Sequence, residues 1–550
     1  MGAIGRLLSG GSKGLSKGQF MTKKVLVADK ISPTGVALLR AQIGYEVIEA
    51  YGSTPEKLLT LVGDVHAILV RSESQITREV LAAAHKLVCV GRAGVGVDNI
   101  DVDAATDRGV IVMNTPSGNT VATAELTFSH LLCLARPLPE AVQSMREGKW
   151  DRKTLSGTEL FGKSLGILGL GRIGAEVGKR ALAFGMKVYA YDPYLTEARA
   201  KALGVIMATL DEVYAQADYI TVHMPLTEQT EGMVNTAAFA KMKKGVKIVN
   251  CARGGIVDEA ALAAALASGQ CGGCGFDVFV EEPMIKDHAL RSLPKAHLSP
   301  HLGASTAEAQ ENVGLEVAES CITVLAGGFP GNAVNLPPVD AQTLTAMRPF
   351  LQLGEKLGSL VRQLAAPSRV ESIRLTTFGA GSEAGANALS RSVQRGYLRA
   401  IAEGVNDVNA PSKLKALGVE FQSIRSSAEA DYKELLLVET TLAGGGTASI
   451  AGTILGKALS PRIVSVNGRT LEFVPEGKLL LIENQDQPGI IGALGTLLAK
   501  ERVNIANMAL SRTGGPNALA VYQLDTAPGA AALAEIQRNP AIVSAKLLEA

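Results

Sequence analysis

Residues 164–192 read SLGILGLGRIGAEVGKRALAFGMKVYAYD, and this stretch decides the fold of the chain. An apolar run, LGIL, leads directly into GLGRIG at 169–174, and a helical pattern, AEVGKRALAF, follows. A G-x-G-x-x-G motif between a strand and a helix is typical of dinucleotide-binding folds. Its first glycine permits a tight turn, its second lets backbone amides approach a pyrophosphate, and its third allows helix and strand to pack closely. The stretch therefore predicts a Rossmann-type domain whose helix N-terminus faces phosphate groups.

Asp192 ends the next strand pattern, VYAYD, and predicts the choice of dinucleotide. A carboxylate at that place accepts hydrogen bonds from the adenosine ribose and repels the additional phosphate of NADP. The expected cofactor is therefore NAD. The alternative is a glycine turn beside a surface aspartate. The cofactor contacts predicted from this motif are Gly169, Gly171, Arg172, Ile173, Gly174 and Asp192.

The rest of the first half alternates short β-branched runs with helical patterns, which favours parallel strands joined by crossover helices. Before the motif, the strand candidates are VLVA, AILV, LVCV and VIVM at 25–28, 67–70, 87–90 and 110–113. Residues 122–150 form one long helical pattern between the two series. The expected fold class is α/β, with two Rossmann-like doubly wound domains.

The second half has a different pattern. After a Gly/Pro-rich break near 328–338, helical patterns at about 341–365 and 386–408 alternate with strand-like runs, which predicts an α+β intervening domain. Residues 478–550 read strand, helix, strand, strand, helix, strand, the order of a ferredoxin-like unit.

Composition limits the class of protein. Among 550 residues, 47% are hydrophobic and 19% charged, with a formal net charge of +1 and no basic block. These values are ordinary for a soluble chain of several domains and give no support for nucleic-acid or membrane binding. Residues 1–21 are rich in Gly and Ser with no acidic residue, which predicts a flexible tail or a targeting remnant. A cytoplasmic location is expected, or an organellar one if those residues remain from a transit peptide.

Cysteines and most histidines are predicted to be structural. Cys271 and Cys274 form a C-x-x-C, but no second pair or nearby histidine completes a zinc set, so no metal is expected. His223 is interpreted as structural or adjacent to the cofactor. The remaining histidines outside the catalytic set lie in no recognisable constellation: His66, His85, His130, His288 and His297.

Three polar residues follow strand patterns beside the dinucleotide motif. Arg253 lies in CARGG, Glu282 in DVFVEEP and His301 in SPHLG. Oxidation of a 2-hydroxy acid requires a cation for the carboxylate and a base for the hydroxyl proton. Arginine grips a carboxylate with two parallel hydrogen bonds, and imidazole titrates near neutral pH. Glu282 is expected to pair with His301 and raise its pKa. Taken singly, the three residues also fit a surface ion pair, a loop acid and a strand-end cap.

The motifs carry a family resemblance. In chain order, GLGRIG, YDP, CARGG, DVFVEEP and PHLGAST resemble the D-isomer-specific 2-hydroxyacid dehydrogenases. VRSESQIT, GRAGVGVDNID and MNTPSGNTVATAEL resemble the phosphoglycerate dehydrogenase branch of that family, in its long form. The resemblance extends over essentially all of 22–550.

The resemblance implies roles for individual residues. Arg253 binds the substrate carboxylate, His301 is the acid and base, and Glu282 is its partner. Further substrate contacts are Arg71, Ser72 and Asn99. A phosphorylated substrate also needs cations for its phosphate, for which Arg71 is the first expectation, with Arg152 or Lys153 contributing from a neighbouring subunit. The additional cofactor contacts that it implies are Cys251, Asp277, His301 and Ala304.

The resemblance also implies a division into domains. A substrate-binding domain covers 22–118 and is completed by 316–336, around an NAD-binding domain at 119–315. An intervening domain follows at 337–475, and an ACT regulatory domain at 476–550. ACT domains of this kind bind amino acids between two copies, which places L-serine as a possible effector near Asp486 and Asn504.

The expected function is oxidation of 3-phosphoglycerate to 3-phosphohydroxypyruvate with NAD, the first step of serine synthesis, by a homodimer or homotetramer. Two alternatives remain open from sequence. One is a dehydrogenase of hydroxypyruvate, glyoxylate or another small 2-hydroxy acid, and the other is a non-enzymatic NAD-sensing scaffold. A structural ACT domain without an effector is also compatible with the sequence.

Overall fold

A computed structural model describes residues 22–339, 341–379, 383–513 and 517–550. The predicted tail at 1–21 lies outside the described residues. Within the described part, the strands form four sheets of five, seven, six and four strands in chain order.

The first sheet is parallel, with strand order β2-β1-β3-β4-β5. Apolar runs build its buried centre, where all four residues of AILV are buried. The edge strand β2 was missed in the sequence because its glutamates interrupt the apolar pattern. The strands are β1 (Lys23–Val27), β2 (Tyr45–Glu49), β3 (Ala67–Val70), β4 (Cys89–Arg92) and β5 (Ile111–Met113), and the helices are α1 (Pro33–Arg40), α2 (Pro55–Leu61), α3 (Arg78–Ala83) and α4 (Val102–Arg108).

Two helices lead to the second sheet, α5 (Thr120–Ala135) and α6 (Leu138–Arg146). The single helix predicted over 122–150 was therefore wrong. Pro137 forces Arg136 into an extended conformation, with φ −124° and ψ 107°, because a residue before proline avoids the helical region.

The second sheet is also parallel, with order β12-β11-β10-β9-β6-β7-β8. The order reverses between β6 and β9, the place where doubly wound sheets bind ligands. Its strands are β6 (Ser164–Leu168), β7 (Lys187–Tyr191), β8 (Ile206–Met207), β9 (Tyr219–Val222), β10 (Val246–Asn250), β11 (Cys271–Phe276) and β12 (Ala296–Leu298). Its helices are α7 (Arg172–Ala183), α8 (Glu197–Ala202), α9 (Leu210–Gln216), α10 (Thr236–Lys241), α11 (Glu259–Ser268) and a 3-10 turn at Ala289–Ser292.

Helix α12 (Ala307–Leu325) returns the chain to the first sheet. Its buried face, including Val313, Val317 and Cys321, joins the core formed by Val25 and Leu69. The chain therefore passes from the first sheet to the second through α5 and returns from the second to the first through α12.

The third sheet has order β14-β13-β15-β16-β17-β18 and carries helices on one face. The sequence run 462–474 forms two strands rather than one, because Asn467 and Gly468 adopt positive φ and turn the chain. The elements are α13 (Ala341–Ala365), β13 (Val370–Phe378), α14 (Glu383–Arg399), α15 (Ala410–Ala416), β14 (Glu420–Ser426), β15 (Leu435–Leu442), β16 (Thr447–Leu455), β17 (Ser460–Val466) and β18 (Arg469–Phe473).

The fourth sheet is antiparallel and has the predicted ferredoxin-like order, β20-β21-β19-β22. Its elements are β19 (Lys478–Gln485), α16 (Ile490–Lys500), β20 (Ile505–Ser511), β21 (Asn517–Leu524), α17 (Ala530–Arg538) and β22 (Ile542–Glu549). One face of this sheet shares a continuous core with α13, in which Leu481, Val521 and Leu548 pack with Leu360 and Leu364.

Helices α13 and α14 pack closely because glycines remove side chains from their contact. A Cβ on Gly396 would collide with the backbone carbonyl of Glu355, and one on Gly358 with that of Val393. Backbone atoms cannot move aside as flexible side chains do, so the helices must separate to accept a methyl group.

We expect Gly396→Ala to destabilise the second half of the chain by about 1–3 kcal/mol, the usual cost of overpacking a core. The matched control is Gly492→Ala in α16, where a Cβ meets nothing within 4 Å and the helix gains about 0.5–1 kcal/mol. Urea unfolding of both variants measures the difference. Equal stability of the two variants would contradict this account of the helix contact.

Candidate active site

The glycine motif forms a turn that only glycine can build. Gly169 has φ 94°, and a Cβ there would lie 2.6 Å from the carbonyl oxygen of His223. A Cβ on Gly174 would collide with the carbonyl of Gly169, whereas Gly171 has open space. That open space lies at the N-terminus of α7, where no side chain caps the free N–H groups. The turn thus leaves room for a phosphate at a helix N-terminus.

Asp192 lies beside this turn. Its Oδ2 accepts a hydrogen bond from the Leu170 amide at 2.9 Å, and Oδ1 accepts one from the Tyr194 amide at 2.9 Å. Each carboxylate oxygen has further lone pairs, so the side chain can also accept ribose hydroxyls. The turn and this carboxylate fit the pyrophosphate and adenosine ribose of NAD.

The other residues predicted to contact the cofactor occupy different environments. Arg172 is exposed, and Ile173 is partly buried against the core. Cys251 is buried, with its thiol hydrogen-bonded to Thr127, and burial raises its pKa. Ala304 is half-buried in the loop after His301. Their contact with a bound cofactor stays a prediction.

The loops after β11 and β12 bring His301 and Glu282 together. Nδ1 of His301 lies 2.6 Å from Oε2 of Glu282, and Oε1 of Glu282 accepts the Phe279 amide at 2.9 Å. A carboxylate only accepts hydrogen bonds, so Nδ1 carries the proton and Nε2 is the basic nitrogen of the neutral ring.

Electrostatics adjust both members of this pair. The hydrogen bond to Glu282 raises the pKa of His301 above its ordinary value; burial opposes the rise, and the negative charge of Asp277 supports it. Burial raises the pKa of Glu282, but hydrogen bonds from His301 and Phe279 outweigh that effect and leave the pKa below its usual range. The glutamate therefore stays ionised when the imidazole titrates.

Arg253 lies in the loop after β10, close enough to His301 and Glu282 for its positive charge to lower the pKa of each. Asn250 shapes that loop by accepting the Ala252 amide and donating to the Arg253 carbonyl. A Cβ on Gly254 would collide with the carbonyl of Phe279, so glycine allows the two loops to meet.

The structure adds a second guanidinium that sequence reasoning missed. Arg92, at the end of β4, donates from Nε to the Arg71 carbonyl at 3.0 Å. Asp98 lies between the two cations, 3.4 Å from Nη1 of Arg92 and 3.7 Å from Nε of Arg253. The sequence contained a signal for this residue. Arg92 comes just after the strand pattern LVCV at 87–90, as Arg253 comes just after a strand of the second sheet.

The predicted substrate residues lie on a loop held by a buried carboxylate. Asp29, with no exposed surface, accepts the amides of Arg71, Glu73 and Ser74. Asn99 is also buried, and its amide donates to the carbonyls of Arg71 and Ser74. Arg71 and Ser72 thus occupy a fixed loop, whereas Asn99 lies beneath it.

One cleft joins the two halves of this site. It has a volume of about 610 Å³, and its lining includes Ser72 from the first sheet's loops and Glu282, Arg291 and His301 from the second's. Arg152 and Lys153 are exposed and make no contact with this cleft within the one chain described.

The predicted effector residues are engaged within the last domain. Oδ2 of Asp486 accepts Nε of Arg512 at 2.6 Å, and Nδ2 of Asn504 donates to Asp525 at 2.9 Å. Both are surface pairs that a ligand can replace.

The C-x-x-C has a packing role. Cys271 and Cys274 are free and buried on β11, and the glycines around them bring neighbouring backbone and α5 close to this strand. His223 is half-buried, its Nε2 lies 2.9 Å from Oγ1 of Thr221, and burial lowers its pKa to about 3.

The described residues hold no recognisable metal site and no helix suited to crossing a membrane. They contain no group of three or more His, Cys, Asp or Glu side chains placed to hold a metal ion. None of their helices is both long and apolar enough to span a bilayer.

Comparison with known families gives a match in three parts. Residues 128–303 match the D-isomer specific 2-hydroxyacid dehydrogenase NAD-binding domain, 346–467 the D-3-phosphoglycerate dehydrogenase intervening domain, and 478–541 the ACT domain. The fold and the site are therefore those of an NAD-dependent oxidoreductase of the D-2-hydroxyacid dehydrogenase class.

Curated relatives define the branch within that class. The chain is 40% identical to D-3-phosphoglycerate dehydrogenase of Bacillus subtilis, over 96% of this chain and 99% of the relative. It is 44% identical to the enzyme of that name from Mycobacterium tuberculosis, over 91% and 94%. The chain belongs to the D-3-phosphoglycerate dehydrogenase family.

Solved structures match the first half. A glyoxylate reductase from Paecilomyes thermophila is 32% identical with a TM-score of 0.53, covering 57% of this chain and 98% of that one. A D-lactate dehydrogenase from Aquifex aeolicus, solved with NAD and lactic acid, is 27% identical with a TM-score of 0.51, covering 57% and 99%.

We expect Glu282→Gln to lower the pKa of His301, because the variant removes the carboxylate that favours the protonated ring. The imidazole then loses its proton at lower pH than in the wild type, which an NMR titration detects. Glu259→Gln is the matched control, since Glu259 pairs with His288 at 2.9 Å in another loop. An unchanged His301 titration in Glu282→Gln would contradict the coupling.

Proposed function

We propose that this chain oxidises 3-phospho-D-glycerate to 3-phosphohydroxypyruvate with NAD, the first step of the phosphorylated route to L-serine. The observation that carries the proposal is the His301–Glu282 pair, which lines one cleft together with Ser72 of the Arg71 loop and has the charge of Arg253 close by. The names of the curated relatives support the choice of substrate.

His301 is the proposed catalytic base. Its Nε2 takes the proton of the substrate hydroxyl while Glu282 keeps Nδ1 protonated and orients the ring. The imidazolium formed lies beside an ionised carboxylate, which stabilises it. NAD supplies the hydride acceptor when bound, so the carbon loses a hydride and the oxygen loses a proton.

Arginines are proposed to bind the anionic ends of the substrate. Arg253 grips the carboxylate with parallel hydrogen bonds. Arg71 and Arg92 are the proposed phosphate ligands, because they lie at neighbouring strand ends of the first sheet. Arg152 or Lys153 of a second subunit would complete the phosphate site. Asp98 offsets part of this positive charge before substrate arrives.

We also propose the domain boundaries expected from sequence, with 22–118 completed by 316–336, then 119–315, 337–475 and 476–550. The packing of α12 against α1 and β4 supports the return of the chain to the first domain. A contiguous first domain would leave that core open.

L-Serine is the proposed effector of the ACT domain. It would bind between two copies of the domain, with Asp486 taking the ammonium and Asn504 a polar atom, in place of their present partners. This site requires a homodimer or homotetramer. Exposed apolar residues on α6 and beyond it, including Leu138, Met145 and Trp150, are available for such contacts.

The enzyme assay tests the reaction. NADH absorbance should rise with 3-phosphoglycerate and NAD, and His301→Ala should reduce turnover by about 10²- to 10⁴-fold, the usual contribution of a positioned base. Calorimetry should show little change in NAD affinity. The surface variant His85→Ala is the control and should keep full turnover. Faster oxidation of an unphosphorylated 2-hydroxy acid would contradict the proposed substrate.

The effector is tested by adding L-serine to the same assay. We expect inhibition of the wild type and weaker inhibition of Asn504→Ala, which loses a polar ligand contact worth about 0.5–1.5 kcal/mol, or roughly two- to tenfold in serine affinity. D-Serine is the matched control ligand. Insensitivity of the wild type to L-serine would leave the domain a structural one.

A further inference from the structure

The loop that carries His301 is held by one fully buried carboxylate. Asp277 directly follows β11, and its Oδ1 accepts the Leu302 amide at 2.7 Å while its Oδ2 accepts the Gly303 amide at 2.8 Å. Its backbone carbonyl accepts the His301 amide at 2.9 Å. His301 has φ 54°, a region that residues with a side chain rarely adopt, so these bonds keep the loop in an unfavourable backbone conformation.

Ser299 gives Asp277 a third donor. Its hydroxyl lies 2.6 Å from Oδ1, and it must donate there because the carboxylate has no proton to give. The serine oxygen therefore has its lone pairs free to accept, and Nε2 of His130 lies 3.1 Å away. The direction of the chain follows: His130 donates to Ser299, and Ser299 donates to Asp277.

The fold makes specific room for His130. The residue is buried on α5, and a Cβ on Gly275 of β11 would lie 2.7 Å from its Cβ and 2.9 Å from its Cγ. Burial lowers the pKa of His130, and the charge of Asp277 only partly offsets this. The ring is therefore neutral at the pH of the reaction and keeps its one proton on Nε2.

We infer that His130 and Ser299 are positioning residues, which act through Asp277 to orient His301 toward Glu282. The inference builds on the proposed role of His301 and assigns a function to a histidine for which the sequence indicated none. The charged groups that face His301 are Glu282, Asp277 and Arg253, and His297 is the further titratable group near His130.

Removal of the serine hydroxyl should loosen the loop and concentrate negative charge on Asp277. We expect Ser299→Ala to lower kcat about three- to tenfold, the value of one hydrogen bond. The pKa of His301 should rise, because a less compensated Asp277 favours the protonated ring, so the rise of activity with pH moves to higher pH. The KM for NAD should stay near that of the wild type.

Paired variants of His130 separate hydrogen bonding from packing. His130→Gln keeps an amide donor near the position of Nε2 and should retain kcat. His130→Leu has a similar volume and no donor, so it should lower kcat, by no more than the three- to tenfold loss expected for Ser299→Ala. The double variant Ser299→Ala/His130→Leu should be no worse than Ser299→Ala alone, since both residues act through one chain of bonds.

His297 supplies the matched control. It lies on β12 and pairs with Glu140 at 2.8 Å. His297→Leu therefore removes a neighbouring histidine that is not part of the His130–Ser299–Asp277 chain of hydrogen bonds, and it should leave kcat unchanged. If Ser299→Ala does not fold, the comparison of kcat between His130→Gln and His130→Leu still tests the inference. Equal kcat in His130→Gln and His130→Leu, or multiplicative losses in the double variant, would overturn the inference.

An NMR titration of His301 keeps this inference separate from the proposed reaction. Its pKa should shift in Ser299→Ala whether or not the wild type oxidises 3-phosphoglycerate. Inactivity of the wild type with a shifted titration would reject only the proposed substrate. If the wild type is active but Ser299→Ala changes neither the His301 titration nor kcat, only the proposed role of His130 and Ser299 is rejected.

Discussion

The carboxyl ends of β10, β11 and β12 lie side by side in one parallel sheet, and the chemistry of the chain depends on that arrangement. Parallel strands end at a common edge, so the loops that follow them meet even when they are distant in sequence. Arg253, Glu282 and His301 each occupy one of these loops. The reversal of strand order between β6 and β9 places the glycine turn on the same edge. A guanidinium, an imidazole and the dinucleotide-binding turn therefore lie at one edge of the sheet.

On each side of the cleft, one buried aspartate holds a loop by accepting hydrogen bonds from its backbone amides. Asp29 lies just after β1 of the first sheet and accepts hydrogen bonds from the backbone amides of the Arg71 loop. Asp277 directly follows β11 and accepts hydrogen bonds from the amides of the His301 loop. A buried charge is costly unless several donors surround it, so each aspartate fixes its loop through its own requirement for hydrogen bonds. The residues proposed to touch substrate are thereby held before substrate arrives.

The order and type of most elements could be predicted from sequence because their hydrophobic periods are strong. The last domain and the parallel strands followed from those periods, and AILV matched β3 over its full length. The exceptions have local causes. Strand β2 alternates partly exposed and exposed residues at a sheet edge, so its apolar signal is weak. The helical pattern of 122–150 continued across Pro137, but the proline constrains the preceding backbone and divides the helix.

The sequence by itself determined the dinucleotide turn and the preference for NAD, because those depend on short motifs whose backbone geometry is local. It also indicated the pairing of His301 with Glu282, because each residue follows one of two successive strand patterns. Only the tertiary structure decided that Arg92 and Asp98 join Arg253, and that His130 reaches Ser299. These contacts connect residues from different strands and helices, and long-range packing sets their distances. A polar residue far away in the chain carries no local pattern that reveals its partner.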